Sequence, residues 1–256
     1  MLELKGITKK YHYFPAVNDV SFTARPTEIL GYLGPNGAGK TTTIKILAGL
    51  LTPTEGQVFY MGQNIQKDLY EYKKHIGYVP EQSDIYPHMT AYEYLLMVGR
   101  LRHIKEKPLN EKIVAFMKLL DLDQDMDSTI SSYSKGMIQK VLITSALLHN
   151  PDILLLDEPL SGLDVTTSLI IKELLQKLAQ EGKVMIYSSH ILEVVEKVCS
   201  RVIIVHEGNV VADDLVSNLR TLMKLPSLEE IFSQLVVQAD TDKISDQMIE
   251  IMKFAA

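Results

Sequence analysis

Cysteine occurs once in the 256 residues, at Cys199. One thiol excludes an intramolecular disulfide and suits a reducing compartment. With Val198 and Val202 beside it, Cys199 reads as a small buried apolar residue. No stretch reaches the ~18 apolar residues of a membrane-spanning helix, so any membrane role must be borrowed from another chain. Positive charge is not in excess: 26 Lys and Arg stand against 32 Asp and Glu, a formal net charge of −6. That balance lacks the basic face by which proteins hold nucleic acid, and no nucleic-acid partner is expected. The start, Met1-Leu2-Glu3-Leu4-Lys5, has no basic segment followed by an apolar run, so no signal peptide is expected. Internal repeats and low-complexity tracts are also missing. What is present is ordinary globular composition, 46% hydrophobic and 23% charged residues. That suffices for a substantial core in one large α/β domain or a domain with a small appendage.

The octet Gly34-Pro35-Asn36-Gly37-Ala38-Gly39-Lys40-Thr41 satisfies every fixed position of the phosphate-binding loop. Glu28–Leu33 before it reads as a short buried strand, and Thr42–Leu50 after it as a helix, which is the context the motif needs. Glycines let successive backbone N–H groups curl around an anion, and the helix N-terminus adds unpaired N–H groups and its positive dipole end. Lys40 then reaches the β- and γ-phosphates while the Thr41 hydroxyl can ligate Mg²⁺. With Thr42 these residues form the expected binding set for a nucleoside triphosphate.

Residues 2–8 and 17–24 alternate as antiparallel strands do, and a further β-like segment spans Gly56–Gly62. Ile76–Val79 is another short apolar run. Thr90-Ala91-Tyr92-Glu93 is a capping box, opening a helical stretch that resumes from about Asn110 to Leu120. A third helix is predicted from Lys135 to about His149. Continuous apolar runs at Ile153–Leu156, Val184–Tyr187 and Val202–Val205 suit strands covered on both faces. Helices at about Thr166–Glu181 and Ile191–Ser200 separate them. The pattern predicts an α/β core carrying an α-helical insertion at about residues 86–150. Beyond Pro226 a second capping box, Ser227–Glu230, opens a separate C-terminal helical extension over residues 226–256, ending in an acidic tail from about Asp240.

Ile153–Leu156 delivers Asp157-Glu158-Pro159 at the carboxyl end of a strand, where α/β sheets place ligands. Asp157 can hold Mg²⁺ and Glu158 can polarise a water aimed at the γ-phosphate. Gln82 and His190 follow strand-like runs at the same end. Gln82 could give its amide oxygen to Mg²⁺, and a neutral His190 could bond the γ-phosphate or orient Glu158. Ser134 and Gly136, in Tyr133-Ser134-Lys135-Gly136-Met137, offer donors at another helix N-terminus, a second anion site. One phosphate-binding loop cannot serve both, so a head-to-tail dimer is expected, with ATP on one copy meeting Ser134 and Gly136 of the other.

The ordered set of Tyr11, GPNGAGKTT, Gln82, YSKGM, ILLLDEP, SGLD at Ser161–Asp164, and His190 resembles the ATP-binding subunits of ABC transporters over residues 1 to about 225. The resemblance implies a P-loop NTPase core with a mainly parallel sheet, an antiparallel β subdomain and an α-helical subdomain. It implies ATP and Mg²⁺ as cofactors and ATP hydrolysis coupled to transport. It further implies that Tyr11 stacks on adenine, that Glu158 is the catalytic base, and that Asp164 couples two composite sites; Tyr13 and Phe14 remain alternatives for stacking. The partners implied are a second copy, or a second ATP-binding subunit, and an integral membrane permease gripped through residues around Tyr86–Arg102. The location implied is the cytoplasmic face of the cell membrane. YSKGM departs from the common LSGGQ, with Lys135 for a glycine and Met137 for a glutamine; Lys135 could face the γ-phosphate or solvent. YSKGM and Ser227–Phe232 together resemble a bacterial exporter subclass with a separate permease. Genome-maintenance ATPases share the signature logic but insert a long coiled coil, and translation-factor ATPases usually pair two cassettes with basic linkers; neither feature occurs here.

Overall fold

The computed structural model describes residues 1–82, 85–189 and 191–223, and single positions beyond them. Two sheets organise the chain. The first has the order β2-β1-β4-β5: β1 (Leu2–Tyr11) pairs antiparallel with β2 (Phe14–Ala24) and with β4 (Glu55–Tyr60), which carries the short β5 (Gln63–Asn64). The first two strands run longer than alternation alone suggested, because register shifts along β1 break the in–out pattern near Lys9 and Lys10.

The second sheet has the order β10-β9-β3-β8-β7-β6. Here β3 (Ile29–Leu33), β6 (Ile76–Val79), β7 (Ile153–Asp157), β8 (Val184–Ser189) and β9 (Arg201–His206) are parallel, and β10 (Asn209–Leu215) closes one edge antiparallel. Every residue of β3, β7 and β8 is buried, the burial that unbroken apolar runs imply. One core cluster lies between the sheets, with Leu4, Val20, Ile44, Leu155 and Ile186 in it. A second lies on the other face, beneath α6 (Val165–Gln180) and α7 (Leu192–Val198).

The helical subdomain has its own core of Leu95, Leu109, Ile113, Met117 and Val141. Its first helix, α3 (Ala91–Leu101), opens on the expected capping box: Glu93 N donates to Thr90 Oγ1 at 3.1 Å and Thr90 N to Glu93 Oε2 at 2.8 Å. The next, α4 (Glu106–Leu119), starts earlier than the pattern indicated. Pro108 sits in its first turn, where a missing N–H costs nothing. The third, α5 (Lys135–Leu147), has two apolar faces; Val141 joins the subdomain core while Leu142, Ile143 and Ala146 join the sheet core. This helix therefore welds the subdomain to the sheet and fixes where Ser134 stands.

Among the described residues, the sequence pattern does not reveal α2 (Leu69–Lys74), β10 or α8 (Val216–Met223), nor short pieces such as β5. The first is a single polar-faced stretch capped by Asp68, whose carboxylate accepts from Glu71 N at 2.9 Å. Strand β10 alternates exposed and half-buried residues at a sheet edge, a weak signal beside the buried strands. The predicted helix at Ser227 lies outside the described residues, apart from Phe232, which packs against the second core cluster.

His149 crosses from the end of α5 to the sheet, with Nε2 donating to Ile76 O at 2.9 Å and Nδ1 buried without a partner. Burial, with Arg102 close by, lowers its pKa from 6.5 to about 4. The unfolded chain therefore binds this proton more readily, so the contribution is complete above pH 6.5 and is lost as pH falls towards about 4. The ring is partly solvated, so screening leaves about 1 kcal/mol. His149→Gln, which keeps the donor, should show a shallower fall in urea-unfolding stability over that window than the wild-type chain.

Candidate active site

The parallel sheet gathers its chemistry at one end. Register places Leu33 beside Ser189 and Asp157 beside Ser188, so the carboxyl ends of β3, β8, β7 and β6 converge. A cleft of ≈ 400 Å³ opens there, lined by Ala16, the phosphate-binding loop, Glu81, Asp157 and Glu158.

The helix after the loop, α1 (Lys40–Leu47), starts two residues before the predicted Thr42 and ends before Leu50. Both shifts have a backbone cause. Gly39, at φ +98°, caps the N-terminus in the left-handed region, and a Cβ there would lie 2.2 Å from Ala16 O. Gly49 at φ +65° ends the helix in the same way. Lys40 and Thr41 thus form the first turn, with their N–H groups at the positive end of the helix.

Lys40 Nζ donates to Gly34 O at 2.8 Å and to Pro35 O at 3.2 Å, which holds the side chain over the loop. Burial lowers its pKa, opposed by Glu158, Asp157 and Glu81. Asp157 is 1% exposed; Ser188 Oγ donates to its Oδ1 at 2.6 Å, while its Oδ2 is buried without a hydrogen-bond partner. Burial pushes this carboxyl above its usual range, against the pull of the Ser188 hydroxyl. Glu158 is 8% exposed and its Oε2 accepts from Ser189 Oγ at 3.1 Å. Its backbone sits at φ +51°, an unusual conformation for a non-glycine residue, held by Glu158 N donating to Ser188 O at 3.1 Å.

One lysine thus faces three carboxylates, an arrangement that would repel a bare triphosphate. Among the described residues no group of three His, Cys, Asp or Glu could hold a metal alone. The orphaned Asp157 oxygen, the Thr41 hydroxyl and the Gln82 amide instead suit Mg²⁺, which keeps waters and shares phosphate oxygens. Gln82 stands in an adjoining hollow that shares Thr41 and Glu81 with the cleft.

Glu81, Ser188 and Ser189 went unrecognised in the sequence as site residues. Glu81 Oε2 accepts from Thr41 Oγ1 at 3.2 Å. Their signal was positional: each ends or follows a buried strand at the ligand-facing edge. His190 lies outside the described residues. Tyr11 is 48% exposed at the end of β1, on the hairpin that also carries Ala16, with Lys9 Nζ 5.6 Å from its ring centre. Tyr13 and Phe14 are more exposed, at 94% and 81%.

Ser134 and Gly136 do not line this cleft. Ser134 caps α5, its Oγ accepting from Met137 N at 3.2 Å. A Cβ at Gly136 would lie 2.5 Å from Gly162 O, so only glycine fits. Asp164 caps α6, accepting from Thr167 N at 2.8 Å and Thr167 Oγ1 at 2.6 Å, and likewise stands outside the cleft. Lys135 is exposed, and its Nζ donates to Ser161 Oγ at 2.8 Å.

A parallel sheet whose phosphate-binding loop, buried aspartate and adjacent glutamate meet in one cleft defines a P-loop nucleoside triphosphatase. The ABC transporter family profile matches residues 17–161, and the chain belongs to that family as an ATP-binding, ATP-hydrolysing subunit. It is 38% identical to the ABC transporter ATP-binding protein NatA of Bacillus subtilis (strain 168), over 87% of this chain and 91% of that one. The Nod factor export ATP-binding protein I of Burkholderia lata is 31% identical over 83% of this chain and 70% of its own length. Among solved structures, an ATP-binding subunit of an ABC transporter superposes with TM-score 0.85 at 30% identity, covering 92% of this chain and 99% of that one. The cassette MJ0796, solved as a dimer in a post-hydrolysis state with ADP and Pi, gives TM-score 0.78 at 27% identity, covering 84% of this chain and 98% of its own.

Proposed function

We propose that two copies of this chain close head to tail around two ATP molecules and so drive a separately encoded membrane permease, in the direction of export. The observation that carries the reading is the separation of two anion sites: the cleft holds Lys40, Thr41, Asp157 and Glu158, while the donors at Ser134 and Gly136 stand outside it. A second copy completes the cleft. The dimeric form of MJ0796 supports this arrangement, and the export role of the Nod factor relative supports the direction. No helix among the described residues is long and apolar enough to cross a membrane. The permease therefore supplies the span, and this chain works against the membrane's cytoplasmic face. The cassette occupies residues 1–225, with the helical subdomain at about 86–150 contacting the permease and 226–256 as an extension.

In this reading Tyr11 stacks on adenine, and the loop from Gly34 to Thr42 wraps the phosphates with its N–H groups. Lys40 exchanges its carbonyl partners for β- and γ-oxygens. Thr41, Gln82 and Asp157 would hold Mg²⁺, which when bound would offset phosphate charge. Glu158, aimed by its unusual backbone and by Ser189, takes the proton of the attacking water; His190 contacts the γ-phosphate. Asp164 links the two composite sites across the dimer.

Co-purification with a polytopic membrane protein, with ATPase activity stimulated by that protein, tests the assignment; a cassette that instead captures ribosomes or DNA would overturn it. Tyr11→Ala should weaken ATP binding about tenfold, the loss of one base–aromatic stack, with kcat little changed. Titration with a fluorescent ATP analogue measures it, and an unaltered Kd would hand the role to Tyr13 or Phe14.

A further inference from the structure

We propose that Lys135 is a positioning residue for hydrolysis, acting through Ser161 on the loop that carries Glu158. The proposal rests on the reading of Glu158 as the base. The first two turns of α5 meet residues 159–164 at four successive points. Lys135 Nζ donates to Ser161 Oγ at 2.8 Å. Gly136 lies so close to Gly162 O that a Cβ would stand 2.5 Å from it. The buried Gln139 amide donates to Pro159 O at 2.9 Å, and Lys140 Nζ stands 3.7 Å from Asp164 Oδ2.

The lysine does more than supply one bond. Its stem crosses Gly162, where an added Cβ would lie 3.0 Å from Lys135 Cγ and 3.2 Å from Cδ. A glycine at this signature position, as in the common LSGGQ form, could neither cover Gly162 nor reach Ser161. From Ser161 the path to Glu158 is one turn long, because Ser161 N donates to Glu158 O at 3.1 Å. Glu158 itself holds φ +51°, a backbone state that depends on its surroundings being fixed.

An exposed lysine–hydroxyl bond contributes little to global stability. Its effect belongs in the geometry of the loop, where small displacements of a catalytic group are costly. Lys135 therefore joins the anion donors of Ser134 and Gly136 to the base of its own chain. In the dimer those donors face the other copy's ATP, so the link ties each signature to its own chain's hydrolytic group.

The test is a double-mutant cycle on ATPase activity, with Lys135→Met, Ser161→Ala, the double variant and Lys135→Arg. Each single substitution should lower kcat about tenfold while leaving the Kd for ATP within about twofold. The double variant should be no slower than the singles, since both remove one link. Lys135→Arg, which keeps a donor on a long stem, should recover most of the rate. Unchanged kcat in the singles, or losses that multiply in the double variant, would overturn the link. A raised Kd with kcat intact would instead make Lys135 a nucleotide contact and overturn it too. Failure of the Glu158 reading is separable: Glu158→Gln would then retain turnover, while the cycle still reports whether Lys135 and Ser161 act as one unit.

Discussion

Glu158→Gln is expected to lower ATP turnover by about 10³-fold while ATP binding survives, leaving a stable ATP-bound dimer. The substitution is nearly isosteric, and the amide oxygen can still accept from Ser189 Oγ as the carboxylate does at 3.1 Å. The backbone anchor to Ser188 O is untouched, so the positive φ of Glu158 and the loop after it should persist. What is lost is basicity towards the attacking water, a contribution of about 10²–10⁴ in rate. Removing one carboxylate from a cleft with three also reduces its repulsion towards the phosphates. ATP affinity should therefore hold or rise. Steady-state ATPase rates and size-exclusion chromatography with ATP and Mg²⁺ measure the two effects. Near-normal turnover would remove Glu158 as the base. A dead enzyme that stays monomeric with ATP would leave the base intact but argue against closure around nucleotide.

Much of this site was legible because its chemistry sits where strongly buried strands end. The apolar runs of β3, β7 and β8 leave little choice of element, and the phosphate-binding loop, Asp157-Glu158 and His190 that follow them read as ligand-facing groups. Asp157 and Glu158 are the clearest instance, following four buried residues. Glu81, Ser188 and Ser189 obeyed the same rule but carried no distinctive spacing of their own. Only the parallel register, with Asp157 against Ser188 and Leu33 against Ser189, shows why they matter. The helix starts at Lys40 and Glu106 were misread for a shared reason. Periodicity detects apolar faces, whereas a helix begins with backbone geometry, a left-handed Gly39 in one case and a tolerated Pro108 in the other. The destination of the Lys135 ammonium is not legible at all, since it depends on the first turn of α5 meeting a loop 26 residues further along the chain.

Ser134→Asp and Lys40→Ala should each abolish ATPase activity alone, and an equimolar mixture should regain about a quarter of the wild-type rate. The first substitution is chosen to spare the fold. Aspartate caps helices as well as serine does, so it can take over the bond from Met137 N that Ser134 Oγ accepts at 3.2 Å. Its charge, however, would face the γ-phosphate held by the other copy, and like charges at that range repel strongly in a closed site. Lys40→Ala removes the cation that otherwise meets the β- and γ-phosphates, so this variant should fail to hold ATP. In a mixed dimer the Ser134→Asp chain supplies an intact cleft and the Lys40→Ala chain an intact Ser134, which rebuilds one composite site. Random pairing puts about half of the dimers in that state with one of two sites working, hence the expected quarter. Rates measured across mixing ratios should peak at equal amounts. Two inactive chains that stay inactive together, each still folded by circular dichroism, would mean that Ser134 does not serve a neighbour's nucleotide, and the head-to-tail arrangement would fall with it.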